Sequence, residues 1–124
     1  MELFLALGAV LAGLGVVLGA FGAHALKGKF ASPHYAAIWE TAVQYQMYHA
    51  LGIIAVGIVS SDTLLGSSSL LTWAVYCMLV GIIFFSGSLY VLAVTGVKKL
   101  GAITPIGGLL FIIAWVLVVI APFA

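Results

Sequence analysis

The stretch that decides the fold is Leu26-Lys27-Gly28-Lys29-Phe30, which separates two long apolar runs and carries two of the four basic residues of the chain. The other two, Lys98 and Lys99, stand in a second short break, and a third break, 60–69, has Asp62 as its only charge. Basic residues collect on the cytoplasmic side of membrane proteins. The four lysines are therefore predicted to be topology anchors facing the cytoplasm, with the third break and both termini outside.

Composition places the whole chain in a bilayer. Hydrophobic residues make up 65% of it and charged residues 6%, which leaves almost nothing to cover a soluble surface. A spanning helix needs about 20 mainly apolar residues. The sequence predicts an all-α integral membrane four-helix bundle, a single domain over 1–124 with antiparallel neighbours and short loops, and with spans at about 3–26, 33–60, 70–95 and 103–122. The expected location is the plasma or inner membrane.

Several classes of protein are disfavoured by what the chain contains. Its net charge of +1 gives no electrostatic case for nucleic acid. Cys77 is the one cysteine and lies within a span, so it is expected to be a small apolar filler. The three histidines, His24, His34 and His49, follow no metal-ligand spacing. We expect no metal, no cofactor and no enzymatic activity.

The first span resembles a signal peptide in one respect only. Ala23-His24-Ala25 has the small-x-small pattern that signal peptidases accept. A signal peptide, however, begins with positive charge, whereas this chain begins with Glu2 and its lysines follow the apolar run. The first span is therefore expected to be retained, with its N-terminus outside.

Small residues recur along one face of the first span. In lipid, such a face lets a neighbouring backbone approach closely. The spacing favours a contact between spans of one chain over a contact between protomers. The predicted packing residues are Gly8, Ala12, Gly15, Gly19 and Gly22.

The second span, Pro33 to Val59, is longer than the hydrocarbon core requires. Its 27 residues reach about 40 Å against a core of about 30 Å, so its first turns are expected in the headgroup region. Polar side chains continue inward from there within about half of the helix circumference, and a polar stripe should face protein or water. The stripe consists of Glu40, Thr41, Gln44, Tyr45, Tyr48 and His49.

Other polar residues are predicted at the same half of the membrane, while the outer half is almost wholly apolar. This one-sided distribution predicts a polar recess near the cytoplasmic face that is sealed from outside, and a through-pore is disfavoured. Besides the stripe, the predicted lining is His24 from the first span, Ser86, Ser88 and Tyr90 from the third, and Thr104 from the fourth.

Four segments together resemble a known family. They are 19–26 (GAFGAHAL), 39–51 (WETAVQYQMYHAL), 85–90 (FSGSLY) and 104–108 (TPIGG). In this order they are similar to the small membrane proteins called domain of unknown function 423, whose animal member is transmembrane protein 256. The resemblance covers essentially the whole chain. It implies a four-span protein of bacterial plasma membranes or their organellar descendants, and it carries no established activity.

Each of the main polar residues can be interpreted as structural as well as functional. Glu40 is expected to be a hydrated carboxylate near a helix start, with a partnership with His24 or a cationic substrate as the alternative. His49 is expected to be a neutral imidazole bonded to Ser86 or a tyrosine, with proton relay or metal ligation as the alternative. Lys98 and its neighbour could also hold an anionic lipid head.

Two function classes therefore remain. The first is a binding or assembly component whose recess accepts a lipid head group, a small amphiphile or a partner helix. The second is an oligomeric transporter of small solutes or a proton-coupled one, using Glu40 and His49. Enzyme catalysis ranks below both because no nucleophile or phosphate-binding motif accompanies these residues. The expected partner is the lipid bilayer, and a single orientation permits parallel homo-oligomers.

Overall fold

The computed structural model describes residues 2–124, and its order of elements confirms the predicted all-α membrane fold. In this range four helical segments are long and apolar enough to cross a membrane. The α-helices of these segments begin and end within two residues of the predicted spans, although the fourth segment as a whole begins with a 3-10 turn at Lys98, before the predicted start at 103. The helices are α1, Glu2–His24; α2, Pro33–Val59; α3, Ser69–Ile82; α4, Ser88–Thr95; and α5, Thr104–Ile120.

The sequence predicts one uninterrupted span over 70–95, but in the structure the third span is not a single regular α-helix. A single π-helical turn, Ile83–Gly87, joins α3 to α4. A π turn inserts an extra residue into the helical ladder and is common at functional sites. Two short 3-10 turns, Lys98–Ala102 and Ala121–Phe123, flank α5.

Local chemistry sets the limits of these helices. Pro33 opens α2 after an extended Ser32, in a first-turn position where its missing N–H costs nothing. The hydroxyl of Ser68 accepts a 3.1 Å hydrogen bond from the backbone N–H of Leu71 and so caps α3. Gly96, with φ at 70°, ends α4 in the left-handed conformation that glycine adopts without strain.

The spans pack as antiparallel neighbours, with α1 on α2, α2 on the third span, and the third span on α5. Both lysine-bearing loops therefore lie at the same end of the bundle, which we name the lysine end. The glycine face of α1 meets α2 along most of its length. A Cβ at these positions would contact Ile54 from Gly8, Met47 from Gly15, Val43 from Gly19 and Trp39 from Gly22.

The hydrophobic core lies between α2, the third span and α5. Its larger cluster, away from the lysine end, is built around Ile53, Met78 and Phe111, and Leu11 of α1 packs against its edge. A smaller cluster around Ala42 and Leu89 lies nearer the lysine end. By contrast, the outward faces of α1 and α5 expose large apolar side chains, as expected of surfaces that meet lipid.

Candidate functional site

The predicted polar residues do not all lie around one recess. Five polar residues of the described chain are buried, and only His49, Ser86 and Ser88 among them belong to the predicted set. The other residues of the predicted set are exposed or half-buried. The structure therefore divides the predicted site into an exposed face, a set of hydrogen bonds between spans and two cavities.

The exposed face belongs to α2. Glu40, Gln44 and Tyr48 project there one turn apart, and Tyr48 is 56% exposed. Thr41 lies half-buried at its edge, and His24 is exposed at the end of α1. Among residues 2–124 the carboxylate of Glu40 forms no salt bridge, so the structure does not pair it with His24.

Hydrogen bonds between spans hold most of the other predicted residues. Ser86 donates to the backbone carbonyl of Ala42 at 2.7 Å. Ser88 and Thr104 share a 2.6 Å hydroxyl–hydroxyl contact. Polar side chains in a bilayer commonly join helices in this way, because lipid offers no alternative partner.

Sequence reasoning missed the most connected polar residue, Gln46. Its amide oxygen accepts a 2.6 Å bond from the hydroxyl of Tyr90, and its amide nitrogen donates to the carbonyl of Leu11 at 2.8 Å. It therefore joins α1, α2 and α4. Helical spacing could have indicated its direction. Gln46 is two residues from Gln44, and two residues along a helix turn a side chain by about 200°, which points Gln46 away from the exposed face.

His49 is fully engaged at about mid-length of α2. The indole N–H of Trp115 donates to Nε2 at 3.0 Å, and Nδ1 lies 2.8 Å from the backbone carbonyl of Tyr45. Because Nε2 accepts, the proton must be on Nδ1, which makes the ring neutral. The prediction of a neutral imidazole bonded to Ser86 or a tyrosine agrees with this geometry for the tyrosine, although Tyr45 contributes its backbone carbonyl and not its hydroxyl. Ser86 bonds to Ala42 instead, and the sequence did not predict Trp115 as a partner.

Aromatic rings surround His49 on the α5 side. The ring of Phe111 stacks on the imidazole with centroids 3.5 Å apart and planes at 8°. Together with Tyr45, Phe85 and Trp115 these side chains line a cavity of about 660 Å³, which we name the aromatic cavity. Its rim is formed by one face of α5: Pro105, Gly108, Leu109 and Ile112.

The π turn supplies Phe85 to this cavity. A Cβ at Gly107 would overlap the backbone nitrogen of Phe85, so α5 touches the π turn directly at that point. The ring of Phe85 then lies 4.6 Å from that of Tyr45, centroid to centroid. The irregular turn thus shapes one wall of the cavity.

A second cavity of about 330 Å³ lies on the α1 side of α2 at the lysine end, and we name it the Glu40 cavity. Trp39, Phe30 and Glu40 line it together with small residues of α1 such as Gly22. Two cavities on different sides of α2 thus replace the single recess expected from the sequence.

Metal ligation finds no support in the described residues. No group of three His, Cys, Asp or Glu side chains comes together among residues 2–124. Both ring nitrogens of His49 are already hydrogen-bonded, and the thiol of Cys77 packs against the apolar core.

Comparison with known proteins supplies the family. The family described as Protein of unknown function (DUF423) matches residues 18–108. The chain belongs to this family. A UPF0382 membrane protein of Staphylococcus aureus is 51% identical over 123 residues, which cover 99% of this chain and 97% of that protein. The UPF0382 membrane protein YwdK of Bacillus subtilis is 52% identical over 121 residues, covering 98% and 96% respectively.

The family match confirms the resemblance given by the four sequence segments, and the names of these relatives agree with a membrane location. The matched region includes the Glu40 cavity, the π turn and the part of the aromatic cavity up to Gly108. No solved structure matches the chain. The function must therefore be argued from the site.

Proposed function

We propose that this small membrane protein is a binding component that holds the apolar part of a membrane amphiphile in the aromatic cavity, with the lysine end facing the cytoplasm. The observation that carries the proposal is the enclosure of His49 by aromatic rings beside a cavity of about 660 Å³. The protein then acts by binding and presenting its ligand, without chemical conversion.

The dimensions of the aromatic cavity support an amphiphile. Its lining residues on α5 extend from Pro105 to Trp115, which is about 15 Å at the helical rise and half of a hydrocarbon core. Pro105 stands near the lysine end and Trp115 near mid-depth. A ligand with its head at the interface and its apolar portion along this rim would fit that path.

The chemistry of the lining supports an apolar or flat ligand portion. Ligand sites are typically apolar with a few fixed polar groups, and here the polar groups of His49 and Trp115 are bonded to each other. Because that bond satisfies both groups, the lining stays stable in the empty state. Stacked rings such as Phe111 and His49 present flat surfaces on which a planar group can pack.

The transport alternative, which needs Glu40 and His49 to act together, has less support. These residues are nine positions apart, so their side chains leave α2 about 180° apart around the helix axis. The carboxylate faces outward and the imidazole faces Trp115. No observation in this geometry favours a proton path between them.

A cavity-filling variant tests the proposal. Gly108 lines the aromatic cavity, and a Cβ there would be 3.8 Å from the ring of Phe85, an ordinary contact. Gly108→Leu should therefore fill the cavity without displacing backbone. Native mass spectrometry of protein extracted in mild detergent should find a retained amphiphile on the wild-type protein and at least about fivefold less on the variant.

The matched control is Gly13→Leu on α1, where a new side chain meets no atom within 4 Å. It adds the same apolar group to the outer surface and should leave retention unchanged. Equal amphiphile retention by wild type and both variants would contradict the proposed function.

A further inference from the structure

We propose that the Glu40 cavity is a second, separate site, which binds the ammonium group of an organic cation at the lysine end. It combines a carboxylate, Glu40, with the aromatic rings of Trp39 and Phe30 around a space of about 330 Å³. These are the two kinds of group that attract an organic ammonium ion: an opposite charge and aromatic rings.

The aromatic wall of this cavity is held in place before any ligand arrives. Trp39 is only 7% exposed, and its indole N–H donates to the carbonyl of Leu18 in α1 at 3.0 Å. The rings of Phe21 and Phe30 lie 6.4 Å and 6.1 Å from it, centroid to centroid. Gly22 provides the room for the indole, because a Cβ there would overlap the Trp39 ring.

The charge of Glu40 is available to a ligand. It has no salt-bridge partner among residues 2–124, although four lysines occupy the loops at the same end of the bundle. Lys29 lines a different cavity, which shares the side chain of Phe30 with the Glu40 cavity. An unpaired carboxylate beside aromatic rings selects for cations over anions and neutral molecules.

The place of this site in the bundle suits a ligand at the membrane surface. Glu40 is seven residues into α2, about 10 Å from the helix start, and α2 is longer than the hydrocarbon core needs. The cavity should therefore lie in the headgroup region. Two sources present an ammonium group there: the head of an aminolipid and a soluble quaternary amine.

An NMR titration in uncharged maltoside detergent tests the site with two matched probes. One is an alkyltrimethylammonium amphiphile, and the other has the same alkyl chain ending in an uncharged tert-butyl group. The indole N–H resonances of Trp39 and Trp115 report on the Glu40 cavity and the aromatic cavity separately. We expect the Trp39 resonance to shift saturably with the ammonium probe and not with the neutral one.

Two carboxylate variants give the decisive comparison. Glu40→Gln keeps the size of the side chain and should weaken the ammonium affinity read at Trp39 about tenfold. Asp62→Asn removes an equal charge from the loop between α2 and α3, at the other end of the bundle, and should change nothing. Phe30→Leu should weaken the affinity about threefold, as expected for one cation–π contact.

The outcomes separate this site from the proposed function. Loss of amphiphile retention in Gly108→Leu with an unchanged Trp39 response supports two independent sites. Equal Trp39 shifts by both probes, or equal weakening by Glu40→Gln and Asp62→Asn, would overturn the Glu40 site and leave the aromatic cavity unaffected.

Competition identifies the source of the cation. If tetramethylammonium alone displaces the ammonium amphiphile from Trp39, the site is supported and is assigned to soluble cations. If tetramethylammonium fails and an ethanolamine lipid succeeds, the site is supported and is assigned to lipid head groups. Failure of both to compete would overturn the proposal, because neither natural source of an ammonium group would then bind.

Discussion

The two sides of α2 differ in how closely a neighbouring helix approaches. On the α1 side, Gly8 brings the backbones together so tightly that a Cβ would lie 2.8 Å from the carbonyl oxygen of Ala50. On the α5 side, Tyr45, His49 and Trp115 fill the space between the helices and leave a cavity of about 660 Å³. Beyond the Glu40 cavity, the α1 side is closed by small residues, whereas the α5 side is held open by large rings.

This difference separates stability from binding along the same helix. Close backbone contact gains dispersion energy, which is the main source of helix association in lipid. Rings that stand apart lose part of that contact and create room for a ligand. We therefore expect substitutions in the close contact with α1 around Gly8 to change the free energy of unfolding most, and those on the α5 side to change amphiphile retention.

The largest expected effect comes from disrupting the close contact between α1 and α2. Gly8→Leu would force its Cβ against Ile54 and the backbone of Ala50, so the free energy of unfolding should fall by about 3 kcal/mol. Thermal unfolding in nanodiscs measures this loss. Gly13→Leu, on the open face of the same helix, should remain within about 0.5 kcal/mol of wild type. Equal melting temperatures for Gly8→Leu and Gly13→Leu would contradict the close contact of α1 with α2 at Gly8.

A smaller effect is expected on the open side. Trp115→Phe removes the donor to Nε2 of His49, which should cost about 1 to 2 kcal/mol in a lipid environment. Nitrogen NMR of the imidazole should also show that the Nε2 resonance shifts as it loses this donor, while Nδ1 keeps its proton on the backbone carbonyl of Tyr45. Trp73→Phe is the matched control, because the Trp73 side chain is 62% exposed on α3. An unchanged imidazole spectrum in Trp115→Phe would contradict the assigned hydrogen bond.

The smallest effect concerns the polar link that Gln46 of α2 makes with α1 and α4. Tyr90→Phe removes one bond to Gln46, whose amide nitrogen still donates to Leu11. The expected loss is about 0.6 kcal/mol, the usual size of such a bond in a membrane protein. Tyr76→Phe, on an exposed part of α3, serves as control. A loss of several kcal/mol in Tyr90→Phe would mean that Gln46 depends on this one partner.

The number and limits of the spans could be predicted because apolar length and charge placement are local properties of the sequence. The glycine face of α1 was predictable for the same reason, since helical spacing alone puts Gly8 and Gly15 together. Both features follow from one helix considered by itself.

The candidate site could be predicted only in part. The bond between His49 and Trp115 joins positions 66 residues apart and depends on the rotation of α5, which no local pattern encodes. The π turn at Ile83–Gly87 leaves no trace in hydropathy, because its residues also suit a regular helix. Polarity alone grouped Glu40 with His49, whereas their directions around α2 assign them to different cavities.

The most direct test of the account is to map where a membrane amphiphile contacts the protein. A photoreactive group on the apolar part of the ligand retained by the wild-type protein, activated in native membranes, should label the aromatic cavity at Tyr45 and along α5 between Pro105 and Trp115. Gly108→Leu should abolish this labelling, and Gly13→Leu should preserve it. Labelling spread evenly over the outward faces of α1 and α5, unchanged in Gly108→Leu, would contradict the central claim.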